Sequence, residues 1–233
     1  ACVHVTCEDE MNHCRNLGVT SPIAIVPNPV EIKEYPNAKK DDVFRLGYLG
    51  RISRRKNVEG LIYAWSELGD KVKENAELLI IGGGDEEYMA FLKNEVARLN
   101  LSNVRFTGFI SGQEKEDALS SLSVLAMPSE FENFGNVIVE GLVRGIPCIA
   151  TTGAPWKDLE DYQCGWWVEY NQTAITKAVQ SALETPVDEL YAMGVRGKKL
   201  MKDKYSIEAV AKQMKEVYEW LLGRSEKPDF VHC

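Results

Sequence analysis

The chain has 233 residues, 45% of them hydrophobic and 27% charged, with a net charge of −8. That is enough apolar material for one full core and part of a second. The acidic balance, with no basic run longer than Arg54-Arg55-Lys56, argues against nucleic acid as a main partner. No apolar run approaches the roughly 20 residues of a membrane-spanning helix, and no secretory leader stands at the start. The expected location is therefore cytoplasmic, or peripheral at the inner membrane face in the full-length protein. Six Cys and three His are present. Cys2, His4, Cys7, His13 and Cys14 crowd the start, but their spacing fits none of the paired zinc patterns, and Cys148 and Cys164 lie in or beside apolar stretches. Reduced thiols and no metal are expected. There is no internal repeat and no low-complexity tract.

In chain order, Cys2–Cys7 alternates like a strand, a short helix follows over about Glu8–Leu17, and Ile23–Val26 reads as a second strand ending at Pro27-Asn28-Pro29. A chain opening in mid-strand is expected to be a fragment. Glu34–Asp42 is polar and Pro-containing, a linker by composition. Residues 44–50 (FRLGYLG) predict a strand, with a helix behind whose apolar face is Val58, Leu61, Ile62, Trp65 and Leu68. Gly50 permits a tight turn at that strand's carboxyl end, where ligands of open α/β sheets bind. Arg51 and Lys56 beyond it suit a diphosphate, one by a forked contact and the other as a point charge. Three basic residues taken alone are more often a solvated turn; the strand end favours the site.

Leu78–Ile81 predicts the next strand, Gly82–Gly84 a turn and Asp85–Leu99 a helix. Gly83 and its neighbours would let backbone approach a nucleotide, although such turns often need no ligand. Neither GxGxxG nor GK[ST] occurs. Residues 103–111 predict a further strand and Ser111–Ser121 a helix.

The most informative stretch is MPSEFENFGNVIVEGLVRGIPCIA, Met127–Ala150. The apolar run Ser123–Met127 is a buried strand closed by Pro128, Ser129–Asn133 a polar loop, Gly135–Arg144 an amphipathic helix stopped by Gly145, and Pro147–Thr151 another strand. Free N–H groups at a helix start can donate to a phosphate, and Gly135 allows close approach. Glu132 and Glu140 flank that position, and each carboxylate can accept paired hydrogen bonds from a diol. Taken singly, two such Glu residues are usually solvated.

As a string, PSEFENFGNVIVEGLVRGIPCIAT resembles the signature of the large retaining glycosyltransferase family 4 (group 1) with the GT-B fold, two Rossmann-like domains facing across a cleft. Glu132 and Glu140 meet its Glu-x7-Glu spacing, with Phe134-Gly135 and Gly145-x-Pro147 in place. Gly50-Arg51-x-x-x-x-Lys56 resembles its phosphate loop, Asn57 replacing the usual Gly. Asn133 stands where Gly is frequent, Asn136 where an apolar residue is, and Gly141-Leu142 where Ala-Met is. The resemblance covers nearly the whole chain.

It implies an α/β doubly wound parallel sheet, the C-terminal, donor-binding half of such an enzyme. Residues 1–30 would be a remnant of the acceptor domain, 31–205 the nucleotide-sugar domain and 206–233 a returning helix and tail. It implies sugar transfer with retention, on the front face, from a nucleotide diphosphate donor to a saccharide or lipid-linked acceptor, in surface polysaccharide or glycolipid assembly, with no cofactor or metal. Arg51 and Lys56 would stabilise the leaving diphosphate, assisted by the amides near Asn136; Asn133, Phe134, Gly135, Asn136 and Val137 would line the donor site, Glu132 would hold the sugar, Glu140 the ribose, and backbone at Phe109 and Ile110 the base. Beyond the signature, Trp156, Trp166 and Trp167 would wall the sugar, or belong to the core as aromatics more often do.

Residues 171–184 and 188–203 read as helices. Ser206 caps the last one, striped by Ile207, Val210, Met214, Val217 and Leu221. In the family this helix crosses to the other domain, so part of its stripe is expected to be exposed. Two rival functions are a non-catalytic nucleotide-sugar-binding module and a nicotinamide-dependent oxidoreductase, the latter disfavoured by the missing GxGxxG.

Overall fold

Parallel strands buried on both faces read as continuous apolar runs, and LLII, VLAM and CIA in this chain are such runs. The computed structural model describes residues 1–33, 35, 43–69 and 74–233; the linker expected over Glu34–Asp42 lies, Tyr35 apart, outside them. The chain divides into two units, Glu34–Lys198 and Ala1–Lys33 with Lys199–Cys233.

The larger unit is built on β3 (Phe44–Leu49), β4 (Ala76–Ile81), β5 (Val104–Gly108), β6 (Val124–Met127), β7 (Cys148–Thr151) and β8 (Gly165–Val168). Every pairing is parallel, and the order is β5-β4-β3-β6-β7-β8. The chain therefore winds outward one way from β3, returns, and winds outward the other way from β6, as in a Rossmann sheet. The helices are α2 (Val58–Ser66), α3 (Glu86–Arg98), α4 (Gly112–Ser120), α5 (Asn136–Val143), the short α6 (Asp158–Asp161), α7 (Gln172–Glu184) and α8 (Val187–Leu200).

The apolar face expected of α2 is buried as a set, Val58, Leu61, Ile62, Trp65 and Leu68 packing with Leu46, Tyr48, Leu78 and Ile80 of the sheet and Ile175 and Val179 of α7. Trp65 has no exposed surface, and its indole N–H donates to Asn103 Oδ1 at 3.1 Å. Removing that side chain would cost about 3–5 kcal/mol. On α5, Gly141 has no room for a side chain, since a Cβ would lie 2.7 Å from Cys148 Sγ; this is why Gly stands where Ala is frequent. Strand β8 and helix α6 carry no clear sequence signal. GWWV is four residues directly after a turn, and its edge position leaves it only half-buried.

In the smaller unit β1 (Val3–Val5) pairs in parallel with β2 (Ile23–Ile25), and β2 pairs antiparallel with β9 (Val231–His232). Helix α1 (Glu8–Asn16) connects the first two strands. Lys199–Tyr205, expected to go with the nucleotide-sugar domain, groups here: Val30 N donates to Tyr205 O at 2.8 Å, and Val30 bridges Ser206. Ser206 caps α9 (Ile207–Leu221) by accepting from Ala209 N at 3.2 Å. Along the α9 stripe Val210 and Val217 are buried, while Ile207 is 50% and Leu221 42% exposed.

Candidate functional site

The winding of the larger sheet reverses between β3 and β6, and in open α/β sheets ligands bind beyond the carboxyl ends of the strands at that reversal. The loops leaving β3 and β6 carry most of the residues singled out in sequence. After β3, Gly50 takes φ +146 and Arg51 is exposed, its carbonyl accepting from the buried Tyr48 hydroxyl at 2.9 Å. Burial, and secondarily the Glu132 carboxylate, pushes that phenol far above its usual range, so it stays a neutral donor. A 3-10 turn, Arg54–Lys56, leads into Asn57 at φ 51, whose side chain caps α2 by accepting from Gly60 N at 3.2 Å. Asn tolerates the left-handed conformation better than other side chains do. That is the physical reason it can stand where the related signature has Gly.

After β6, Ser129 is fully buried and its carbonyl is held by the Thr151 hydroxyl. Glu132 N donates to Gly153 O at 2.7 Å. Gly153 is obligatory, since a Cβ there would lie 2.1 Å from Glu130 O. Trp156 is fully buried, donates its indole N–H to Phe134 O and packs its ring 5.4 Å from that of Phe134. These contacts fix the loop ahead of Gly135, which at φ 82 turns the chain into α5 without a side-chain cap. First-turn amides of α5, Asn136 and Val137, thus lack helical acceptors, as at any helix start.

The two loops meet. Lys56 Nζ donates to Glu132 Oε1, and Glu130 N donates to Arg55 O at 2.9 Å. Side-chain exposures of 32% and 13% place the Lys56–Glu132 pair at a partly shielded surface. Lys56 has three donors and keeps two for another acceptor. Arg51 enters no ion pair among the described residues. Glu140 stands on α5, its Oε2 2.5 Å from Lys115 Nζ of α4.

At the same edge, Gly82 and Gly84 serve packing. A Cβ on Gly82 would lie 1.9 Å from Gly50 O, and one on Gly84 1.9 Å from Ile52 O. Gly83 is half-buried with room for a methyl, its nearest neighbours being Phe109 atoms at 3.9 Å, and its carbonyl accepts from Ile52 N at 2.9 Å. Phe109 is 83% exposed and Ile110 half-buried beyond β5. Asn133 and Asn136 are exposed and Phe134 and Val137 half-buried.

The tryptophans do not form one wall. Trp156 is core, Trp167 donates to Ala154 O at 2.8 Å, and Trp166 packs against the core and donates to Ser181 Oγ at 3.1 Å. Lys115, which pairs with Glu140, and Gly153, whose carbonyl holds Glu132 N, were not singled out in the sequence, while Trp156, read there as sugar wall or core, is core and holds the Phe134 carbonyl. Each acts across a long separation, 25 residues for Lys115 and Glu140, and nothing local announces it. Among the described residues no cluster of three or more His, Cys, Asp or Glu side chains could hold a metal. No helix among them is long and apolar enough to cross a membrane.

A family model for glycosyl transferases group 1 matches residues 30–200. The chain is 28% identical over 211 residues to an alpha-1,3/1,6-mannosyltransferase of Homo sapiens, covering 85% of this chain and 50% of that protein. It is 26% identical over 191 residues to a capsular polysaccharide biosynthesis glycosyltransferase of Staphylococcus aureus, covering 80% of this chain and 48% of that one. Among solved structures, a sucrose-phosphate synthase from Thermosynechococcus elongatus superposes with a TM-score of 0.77 at 26% identity, over 96% of this chain and 59% of its own. The chain thus spans about half the length of the curated relatives it matches. Matched signature, reversed parallel sheet and shared architecture agree: the chain belongs to the glycosyl transferases group 1 family, with the fold of the C-terminal half of a GT-B enzyme.

Proposed function

We propose that the whole protein is a retaining hexosyltransferase that moves a sugar from a nucleotide diphosphate donor to a saccharide or lipid-linked acceptor, and that this chain binds the donor. The observation that carries the reading is the Lys56–Glu132 contact across the winding reversal. It sets a cation suited to a leaving diphosphate beside a carboxylate suited to sugar hydroxyls. Arg51, exposed on the same loop, adds a second positive charge, and the Asn136 and Val137 amides supply neutral donors.

In the proposed reaction the bond from the anomeric carbon to the diphosphate breaks, and the diphosphate leaves with the electron pair. The acceptor oxygen bonds to that carbon from the same face and gives its proton to a leaving phosphate oxygen, so no side-chain nucleophile is required. Charge on the phosphate is met by Arg51 and Lys56, and the proposal includes no metal. An N-terminal domain of the whole protein would hold the acceptor, in keeping with relatives about twice as long. The likeness to the staphylococcal capsular enzyme supports a role in surface polysaccharide assembly.

The roles of the two carboxylates are separable. Glu140→Gln is expected to weaken a bare nucleotide diphosphate and the full nucleotide sugar by similar factors. Glu132→Gln should spare the bare nucleotide while lowering sugar preference and turnover. The scale is roughly 1–3 kcal/mol for each hydroxyl left unpaired. Calorimetry on both variants with both ligands checks it; equal weakening of the bare nucleotide, or no effect from either, would sink the assignment.

A further inference from the structure

The proposed ribose carboxylate is not free in the folded chain. Glu140 Oε2 lies 2.5 Å from Lys115 Nζ, with side-chain exposures of 31% and 29%. Next along α4, Glu116 takes a forked contact from Arg144, at 2.7 and 2.8 Å from Nη2 and 3.0 Å from Nε. Arg144 in turn donates from Nη1 to the Glu140 carbonyl at 2.7 Å and lies 4.0 Å over the Tyr35 ring. Both ends of residue 140, side chain and carbonyl, are thus tied to α4, directly through Lys115 and indirectly through Glu116 and Arg144.

We propose that Lys115 is a positioning residue that aims the Glu140 carboxylate at the ribose diol and so sets selectivity for a ribonucleotide over its deoxy analogues. The inference rests on the assignment of Glu140 to the ribose. A carboxylate offers about four lone-pair sites on two oxygens. One ammonium on Oε2 fixes the rotamer and leaves Oε1 and the remaining Oε2 lone pair to accept from two vicinal hydroxyls. Helix α4 begins just beyond Phe109 and Ile110, so Lys115 also fixes the carboxylate relative to the loop placed against the base. As a part-exposed ion pair, Lys115–Glu140 contributes little to stability, and its removal is expected to alter recognition with little effect on folding.

The test measures binding of UDP and GDP, each against its 2′,3′-dideoxy counterpart, to the intact protein and to Lys115→Met, Lys115→Arg and Glu140→Gln. Expected are a loss of roughly tenfold in ribose preference for Lys115→Met, restoration by Lys115→Arg, an unchanged melting temperature, and no further loss when Lys115→Met is added to Glu140→Gln. Undiminished preference in Lys115→Met, with preference lost in Glu140→Gln, overturns the role of Lys115 and leaves Glu140 at the ribose. Undiminished preference in Glu140→Gln overturns both.

Discussion

Lys56 has two demands on its charge, and they decide what its removal does. In the folded chain it is held by Glu132; in the proposed complex its remaining donors reach the diphosphate. Lys56→Ala should therefore weaken UDP or GDP by about 1.5–3 kcal/mol, the scale of a lost charge-assisted hydrogen bond, while leaving binding of the free nucleoside nearly unchanged. Calorimetry with nucleotide and nucleoside measures the difference, and an equal loss for both would contradict a phosphate role. Asn57 illustrates how a departure from a signature can be neutral, because its left-handed backbone and its cap of α2 keep the turn that Gly otherwise makes. Cys148 and Cys164 are placed for inertness: burial drives Cys148 well up, and burial with the Asp158 carboxylate pushes Cys164 up to about 12.

The glycine turn after β4 is where one sequence pattern resolves into different physical reasons. Gly82 and Gly84 abut backbone oxygens of the β3 loop, whereas Gly83 meets only Phe109 at ordinary contact distance. Gly82→Ala and Gly84→Ala should each cost roughly 1–3 kcal/mol through forced backbone movement. Gly83→Ala should stay within about 0.5 kcal/mol, as surface changes without such contacts do. Urea unfolding of the three variants checks the ranking, and a Gly83→Ala as costly as its neighbours would refute it. The turn therefore seats the β3 loop, and through it Arg51 and Lys56, without needing a ligand of its own.

At the scale of the whole molecule, long periodic segments were legible. Strands β3, β4, β6 and β7 and helices α3, α4, α5 and α7 fall within a residue or two of their expected bounds, because burial on one stripe or both faces writes itself into residue spacing. Edge strand β8 was not legible, being four half-buried residues, and neither was β9, whose two residues acquire meaning only by pairing with β2. At the site, the β3 and β6 loops were readable as a string, while their contact through Lys56 and Glu132 spans 76 residues and required the fold. Helix α4 gave no hint that Lys115 would meet Glu140. The central claim, that the winding reversal holds a nucleotide diphosphate sugar, is tested most directly by thermal unfolding against UDP-sugars, GDP-sugars and NAD. A ligand bound only by the native state stabilises it by RT ln(1 + [L]/Kd), about 2.7 kcal/mol at a hundredfold excess over Kd. The predicted result is a concentration-dependent rise in melting temperature with at least one nucleotide diphosphate sugar and none with NAD; a rise with NAD alone, or with no nucleotide sugar, would contradict the claim.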